Sequence, residues 1–172
     1  MKQRKHHLNT DRLVLKKLEK NDKKSLILIM KSPLVNQTYM VPELLTPEKE
    51  DVLFNKLMQL CESDKHFAYG IYIQGNIIGY IHSVSVEDKK VEVGYFIDPD
   101  FWNQGYASEA LKAIIDELFR IGFKTIICGH FIENVASGRV MKKCGMHLIE
   151  QKDVIEYKNK EHVCVYYEIN MK

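Results

Sequence analysis

The sequence predicts an α+β fold: a mixed, mostly antiparallel twisted sheet of about seven strands with helices on both faces. Three observations lead to this prediction. β-rich segments follow one another at short spacing from residue 67 to residue 97, which is typical of antiparallel strands. A helical apolar pattern then separates two strand-like segments, and such a crossover makes the strands parallel. A final hairpin spans residues 146–170.

The N-terminal third of the chain is predicted to form one strand and two helices. Residues 12–18 (RLVLKKL) form the strand, and Asn21 or Asp22 caps a helix through Leu26, Ile29 and Met30. A loop is expected at Ser32 and Pro33. The second helix begins with Thr46 as its cap and Pro47 at its first position, and it runs to Cys61.

The remaining elements follow in order. Residues 67–73 and 77–86 form a hairpin, and residues 91–97 add a third antiparallel strand. A helix beginning near Gln104 buries an apolar stripe, and residues 124–129 form the parallel strand. The stripe consists of Ala107, Leu111, Ile114 and Leu118.

Length and composition indicate one domain, residues 1–172, of a soluble globular protein, with 45% apolar and 28% charged residues. The formal net charge is +2 and the basic residues are dispersed, so no nucleic-acid partner is expected. The basic residues 1–7 are predicted to be a solvated terminus, with a membrane-surface or phosphate contact as the alternative. No apolar segment is long enough to span a bilayer and no signal-peptide pattern is present, which predicts a cytoplasmic protein without a membrane partner.

Four cysteines, at positions 61, 128, 144 and 164, are widely spaced and lack zinc-type histidine pairs. They are expected to be buried free thiols, and no metal is expected. A cysteine acyl carrier is the alternative.

Residues 91–107 (VEVGYFIDPDFWNQGYA) run from a strand through a proline turn into a helix. Unpaired N–H groups at a helix start attract anions, and Gly105 would let a diphosphate approach the main chain. An ordinary strand-to-helix connection is the alternative.

Four motifs, in order, resemble the GNAT superfamily of acyl-CoA-dependent N-acetyltransferases, and within it the branch of the ribosomal-protein N-terminal acetyltransferases. They are T-x-R-L-x-L at residues 10–15, E-[IV]-G-Y at residues 92–95, W-x-x-G-x-A at residues 102–107 and N-x-x-S-x-R-V-M-x-K-x-G at residues 134–145. The resemblance covers about residues 10–170. It implies a GNAT-like sheet and direct acetyl transfer from acetyl-CoA, the cosubstrate, to a primary amine in a ternary complex.

The resemblance also implies a coenzyme site. Backbone groups of Phe96 and Ile97 would pair with the pantetheine arm if residues 124–129 diverge, and the family usually has a bulge in the first of these two strands. Asn134 would bond the arm from the other side, or it would only cap the next helix. The diphosphate would lie against Gln104, Gly105, Tyr106, Ala107 and Ser108.

Two residues are the candidate catalytic groups. An amine must lose a proton before it attacks a carbonyl, and Glu92 is the candidate base, directly or through water. The alternative is a carboxylate that only attracts a cationic substrate or pairs with a basic side chain. Ser137 is implied as the proton donor to the thiolate, because Met141 stands where many members have a tyrosine and a thioether cannot donate. The alternative is a helix-start serine that only satisfies a backbone N–H.

Other assignments stay open. A histidine, such as His82, His130 or His147, is the rival base. Residues 36–41 lie in the segment that covers the acceptor side in the family. A protein N-terminal α-amine is the first candidate acceptor, with a small amine (polyamine, amino acid or antibiotic) or a non-catalytic acyl-CoA-binding module as alternatives. A homodimer is also compatible with the resemblance.

Overall fold

A computed structural model of the chain describes residues 3–171. The strands are β1 (His7–Asn9), β2 (Val14–Lys16), β3 (Ala68–Ile73), β4 (Asn76–Glu87), β5 (Lys90–Ile97), β6 (Thr125–Phe131), β7 (His147–Tyr157) and β8 (Lys160–Asn170). The α-helices are α1 (Lys23–Lys31), α2 (Pro33–Thr38), α3 (Pro47–Glu62), α4 (Tyr106–Ile121) and α5 (Val135–Lys143).

The strands form one sheet in the order β1-β2-β3-β4-β5-β6-β8-β7. Neighbours are antiparallel except β5 and β6, which α4 connects as a crossover. The parallel ladder is short, because it pairs Lys90–Glu92 of β5 with Thr125–Ile127 of β6 and then ends. Beyond Glu92 and Ile127 the two strands diverge, which opens the centre of the sheet.

Helices pack on both faces of the sheet. The apolar stripe of α4, including Leu111, Ile114 and Leu118, lies in one core together with Val91 and Val93 of β5. The helices α1, α2 and α3 bury apolar side chains in a second core on the opposite face, which includes Phe96. This arrangement confirms the predicted fold class.

The N-terminal segment differs from its prediction. Residues 7–9 form an edge strand, so the described part of the chain has eight strands rather than about seven. Arg4 Nη2 donates to the Cys61 carbonyl at 2.8 Å, and the Lys5 amide donates to Glu117 Oε1 at 2.7 Å. Arg4 and the Lys5 backbone are therefore bound to the fold, whereas residues 5–7 are solvent-exposed as predicted. Residues 1 and 2 lie outside the described part.

Three local predictions also need correction. Pro33 begins α2 instead of a loop, because a proline suits the first position of a helix. The helix α4 begins at Tyr106, not near Gln104, because Gly105 has a left-handed φ of 85°. The bulge beside the strand divergence lies in β4, where the register shifts between Ser83 and Ser85, and not in β5.

Candidate active site

A cavity of about 460 Å³ lies where β5 and β6 diverge, between the first turns of α4 and α5 and the end of α2. It is large enough for part of an extended ligand. Its lining comes from α2, β5, α4, α5 and the adjoining loops, and it includes Thr38, Tyr39, Tyr95, Phe96, Ile97, Trp102, Gly105, Tyr106, Ala107, Ser108, Glu133, Asn134, Ser137, Arg139 and Lys143.

The first turn of α4 forms one wall of the cavity. Gly105 is its N-cap, and residues 106–108 follow with the unpaired amides of a helix start. A side chain at Gly105 would be strained at a φ of 85°, and its Cβ would lie 3.3 Å from Arg12 Nη2. This turn can therefore present main-chain N–H groups to an anion.

The T-x-R motif fixes this turn from outside the cavity. Glu109 accepts hydrogen bonds from the Thr10 hydroxyl, from the Arg12 amide at 2.9 Å and from Arg12 Nε at 2.7 Å. Burial raises the pKa of Glu109, but these hydrogen bonds outweigh it and lower the pKa below its usual value. Arg12 Nη1 also donates to the Gln104 carbonyl at 3.0 Å. The Glu109 carboxylate thus ties the start of α4 to the loop before β2.

Gln104 is not among the cavity-lining residues. Its side-chain Nε2 donates to the Asp100 carbonyl at 3.2 Å, and its own carbonyl is used by Arg12. Gln104 therefore stabilises the turn before α4.

The backbone direction of β5 decides which groups face the cavity. The Asp98 amide donates to the Ile78 carbonyl of β4 at 2.7 Å, so by alternation Phe96 also directs its amide and carbonyl towards β4. Tyr95 and Ile97 direct theirs the other way, into the divergence. Trp102 Nε1 donates to the Ile97 carbonyl at 2.7 Å. The amides of Tyr95 and Ile97 and the carbonyl of Tyr95 are thus placed to pair with an extended ligand, whereas Phe96 contributes its ring.

The start of α5 forms the opposite wall. Asn134 Oδ1 accepts from the Ser137 amide at 3.3 Å, which is a helix cap, and Asn134 Nδ2 donates to Ser137 Oγ at 3.0 Å. Because Ser137 Oγ accepts from Asn134, its own proton can point elsewhere. Both side chains line the cavity. Met141, by contrast, is 1% exposed and lies in the core.

Tyr95 adds a second hydroxyl that the sequence analysis did not select as a site group. It lines the cavity, and its Oη donates to the Ser137 carbonyl at 3.5 Å. Burial raises the pKa of Tyr95 well above its usual value, so the phenol keeps its proton.

Glu92 stands outside the cavity lining. It lies two residues before Gly94, on the face of β5 that also carries Phe96, and at the end of the parallel ladder. Burial raises the pKa of Glu92, and its hydrogen bond to Ser85 opposes that shift. A half-buried carboxylate with a raised pKa is suited to accept a proton near neutral pH.

The three rival histidines occupy different environments. His147 is exposed and lies 3.5 Å from Glu168. His130 is stacked on Tyr167 at 5.7 Å between ring centroids and is not part of the cavity lining. His82 contacts Tyr39, which lines the cavity. The sequence could not identify this contact, because the two residues are 43 positions apart.

Two cations from one helix face line the same cavity. Arg139 and Lys143 of α5 are among its lining residues, whereas Lys142 is not. The α4 amides on one wall and these α5 side chains on the other make the cavity electropositive. An anionic ligand with a long polar arm fits this arrangement.

The residues that could support other chemistry are placed elsewhere. Within residues 3–171, no group of three or more His, Cys, Asp or Glu side chains is arranged as a metal site. All four cysteines are buried, and burial raises the pKa of each thiol, to about 11 for Cys144. The described helices include none that is long and apolar enough to cross a bilayer.

Comparison with known proteins gives consistent matches. The family described as "Acetyltransferase (GNAT) domain" matches residues 12–147. The uncharacterized N-acetyltransferase YoaA of Bacillus subtilis (strain 168) is 26% identical over 143 residues, which cover 80% of this chain and 81% of that protein. The uncharacterized N-acetyltransferase YnaD of the same strain is 45% identical over 56 residues, 32% of this chain and 33% of that protein.

Solved structures share the whole fold. A GNAT-family acetyltransferase from Bacillus anthracis superposes with a TM-score of 0.81 at 26% identity, over 95% of this chain and 98% of that one. RimL, a ribosomal L7/L12 α-N-protein acetyltransferase in complex with coenzyme A, superposes with a TM-score of 0.85 at 21% identity, over 96% and 98%.

Proposed function

The chain belongs to the GNAT family of acetyltransferases, enzymes that use acetyl-CoA, and we propose that it acetylates a primary amine as a single domain. A protein N-terminal α-amine is the first candidate acceptor. One observation carries the proposal: a single cavity contains a helix start with a glycine cap, an open strand edge and a serine whose hydroxyl proton is available.

The coenzyme would lie along the divergence between β5 and β6. Its diphosphate would accept hydrogen bonds from the amides of residues 105–108, with Arg139 and Lys143 adding positive charge. The pantetheine amides would pair with Tyr95 and Ile97 as an added strand does. Asn134 would contact the arm from α5 while it caps that helix.

In the proposed reaction, Glu92 takes a proton from the ammonium group, directly or through a water. The neutral nitrogen then attacks the thioester carbonyl carbon, the attacking nitrogen loses its second proton to water, and the carbon–sulfur bond breaks. Ser137 Oγ gives its proton to the leaving thiolate and regains one from solvent. The acetyl group moves directly between the substrates, so no cysteine carrier is needed.

The activities stated for similar proteins support the proposal that the acceptor is a protein N-terminal amine. RimL modifies a ribosomal-protein α-amine, and a related structure is described as modifying an N-terminal serine. These proteins are at most 21% identical to this chain, so they bear on the fold and only suggest the acceptor. A small amine is the competing acceptor. The Aspergillus fumigatus relative, 33% identical over 67 residues, is named an FsC-acetyl coenzyme A-N(2)-transacetylase, a name that specifies no protein N-terminus.

A thiol-release assay with an amine panel tests the proposal. The panel contains a short peptide with a free N-terminal serine, the same peptide with a blocked N-terminus and one internal lysine, a polyamine and an amino acid. We expect thiol release above the hydrolysis blank with the free N-terminal peptide. Release only with the small amines would contradict the protein acceptor. Coenzyme binding without release for any amine would indicate an acyl-CoA-binding module and overturn the enzymatic proposal.

A further inference from the structure

The protonation of His82 can be read from its backbone contact. His82 Nδ1 lies 3.0 Å from the carbonyl oxygen of Ser83. A carbonyl oxygen only accepts hydrogen bonds, so Nδ1 carries the proton and Nε2 of the neutral ring is an acceptor.

Tyr39 completes this arrangement. Its Oη is hydrogen-bonded to His82 Nε2, and since Nε2 accepts, the phenol donates its single proton to the imidazole. The remaining lone pairs of Oη can only accept hydrogen bonds. Tyr39 is a cavity-lining residue, so a group that reaches its Oη from the cavity meets an acceptor and no donor.

The surrounding residues hold Tyr39 and His82 beside β5, the strand along which the coenzyme would bind. A Cβ at Gly94 would lie 3.3 Å from His82 Nε2 and 3.7 Å from Tyr39 Oη, so the glycine lets the pair approach β5. The Tyr39 ring packs against Phe96 at 5.0 Å between centroids. Val41, two residues after Tyr39, is held by Tyr157. Tyr157 Oη accepts a hydrogen bond from the Val41 amide at 3.1 Å and donates one to the Val41 carbonyl at 3.2 Å, which anchors the segment after α2.

We propose that Tyr39 Oη binds an N–H of the acceptor amine, and that His82 is the positioning residue that keeps Tyr39 in this acceptor-only state. The inference rests on the proposed function and deepens it: the site selects an acceptor that donates hydrogen bonds from its reacting nitrogen. Glu92, on the same face of β5, remains the group that removes the proton. Tyr39 thus fixes the nitrogen while Glu92 deprotonates it.

The proposal has a pH signature. The titratable groups around His82 are Tyr39, Tyr80 on its own strand at 5.5 Å between centroids, His66 before β3, and Glu92 on β5. Burial lowers the pKa of His82 more than its bond to the Ser83 carbonyl raises it, and His66 lowers it further. The ring is therefore neutral at neutral pH. In acid, protonated Nε2 would donate to Tyr39, the phenol proton would turn into the cavity, and the amine would lose its acceptor.

Steady-state kinetics of Tyr39→Phe, with the free N-terminal serine peptide and the polyamine as probes, tests the inference. We expect the KM for the amine to rise about 10- to 100-fold, the range for losing a hydrogen bond to a charged group, with coenzyme affinity unchanged. His82→Leu removes the acceptor of the phenol proton, so it should raise the KM similarly and abolish its increase in acid. Tyr80→Phe is the matched control, because the Tyr80 hydroxyl donates to the Leu57 carbonyl at 2.9 Å inside the core. It should leave the KM unchanged.

Each outcome decides the inference. An unchanged KM in Tyr39→Phe, in an active protein, overturns it and leaves the proposed function intact. A wild type that acetylates no amine overturns both. Nitrogen-15 NMR of the imidazole adds a readout without turnover: a proton on Nδ1 of His82 supports the inference, and a proton only on Nε2 overturns it.

Discussion

Gly138 of α5 and His130 of β6 share one space. A Cβ at Gly138 would lie 3.0 Å from His130 Nε2, which is tighter than ordinary packing, and 3.5 Å from Tyr167 Oη, which is an ordinary contact distance. His130 Nδ1 donates to the Phe131 carbonyl at 2.7 Å, and its buried Nε2 has no hydrogen-bond partner within residues 3–171. The absence of a side chain at Gly138 therefore lets α5 approach β6, and Ser137 is carried with it.

We expect Gly138→Ala to destabilise the protein by about 1 to 3 kcal/mol, the cost of overpacking a well-filled site. The loss of stability caused by Gly138→Ala should be smaller in a His130→Ala background, because the clashing ring is absent there. Urea unfolding of the two single variants and the double variant measures this coupling. Equal costs in both backgrounds would show that Gly138 serves another purpose.

Gly105→Ala should weaken coenzyme binding. The new side chain adds strain of about 1 kcal/mol at a left-handed φ and reaches towards Arg12 at the start of α4. Gly75→Ala is the control: its φ is 84°, it lies in the β3–β4 turn, and its Cβ would meet nothing within 4 Å in the described part of the chain.

Both variants should lose similar stability, but only Gly105→Ala should raise the coenzyme Kd in calorimetry. Gly105→Val should raise it further, because a branched side chain blocks the main-chain approach. Equal Kd values for the wild type and all three variants would disprove the diphosphate assignment.

Glu92→Gln should slow acetylation most near neutral pH, where Glu92 is ionised and the amine still carries its extra proton. The wild-type kcat/KM falls in acid as Glu92, whose pKa burial raises, becomes protonated and can no longer act as a base. The variant should lose about 100-fold or more near neutral pH, and it should recover partly above about pH 8, where an N-terminal amine is neutral without help. A pH–rate profile by thiol release, with calorimetry of coenzyme binding as control, checks this. A variant profile of the same shape and height would exclude Glu92 as the base.

Ser137→Ala should lower kcat by about 10-fold or more while leaving the coenzyme Kd close to the wild-type value. The loss reflects the proton that the hydroxyl would give to the thiolate. Ser137→Thr keeps a hydroxyl at the same position and should retain most of the activity, which separates proton donation from packing. Full turnover in Ser137→Ala would leave the residue a helix-start serine, and Tyr95 would become the next proton donor to test.

Strong local signals in the sequence predicted much of the fold. The four-, three- and four-residue spacing of the α4 stripe and the Thr46 cap before Pro47 each specify an element within a few neighbouring residues. The strand His7–Asn9 was missed because three residues carry no usable periodicity. The short helix α2 is not predicted, because a proline occurs in loops as well as at the first position of a helix.

The candidate site was less accessible to sequence reasoning. Cavity-lining residues such as Gly105, Asn134 and Ser137 belong to contiguous motifs, whereas the Tyr39–His82 contact joins distant positions. The diphosphate role of Gln104 stays a prediction, and its position outside the cavity lining follows the left-handed turn at Gly105, which a single glycine in the sequence does not reveal. The acceptor, a homodimer and a cytoplasmic location stay predictions.

Because the β5–β6 ladder ends early, the sheet has two unpaired strand edges in its interior, between which an extended ligand can bind. Acetyl-CoA would then hydrogen-bond to the sheet as a temporary ninth strand as well as react. Amide exchange at Tyr95 and Ile97 would then slow upon coenzyme addition, and the heat tolerance of the protein would follow the supply of its own cosubstrate.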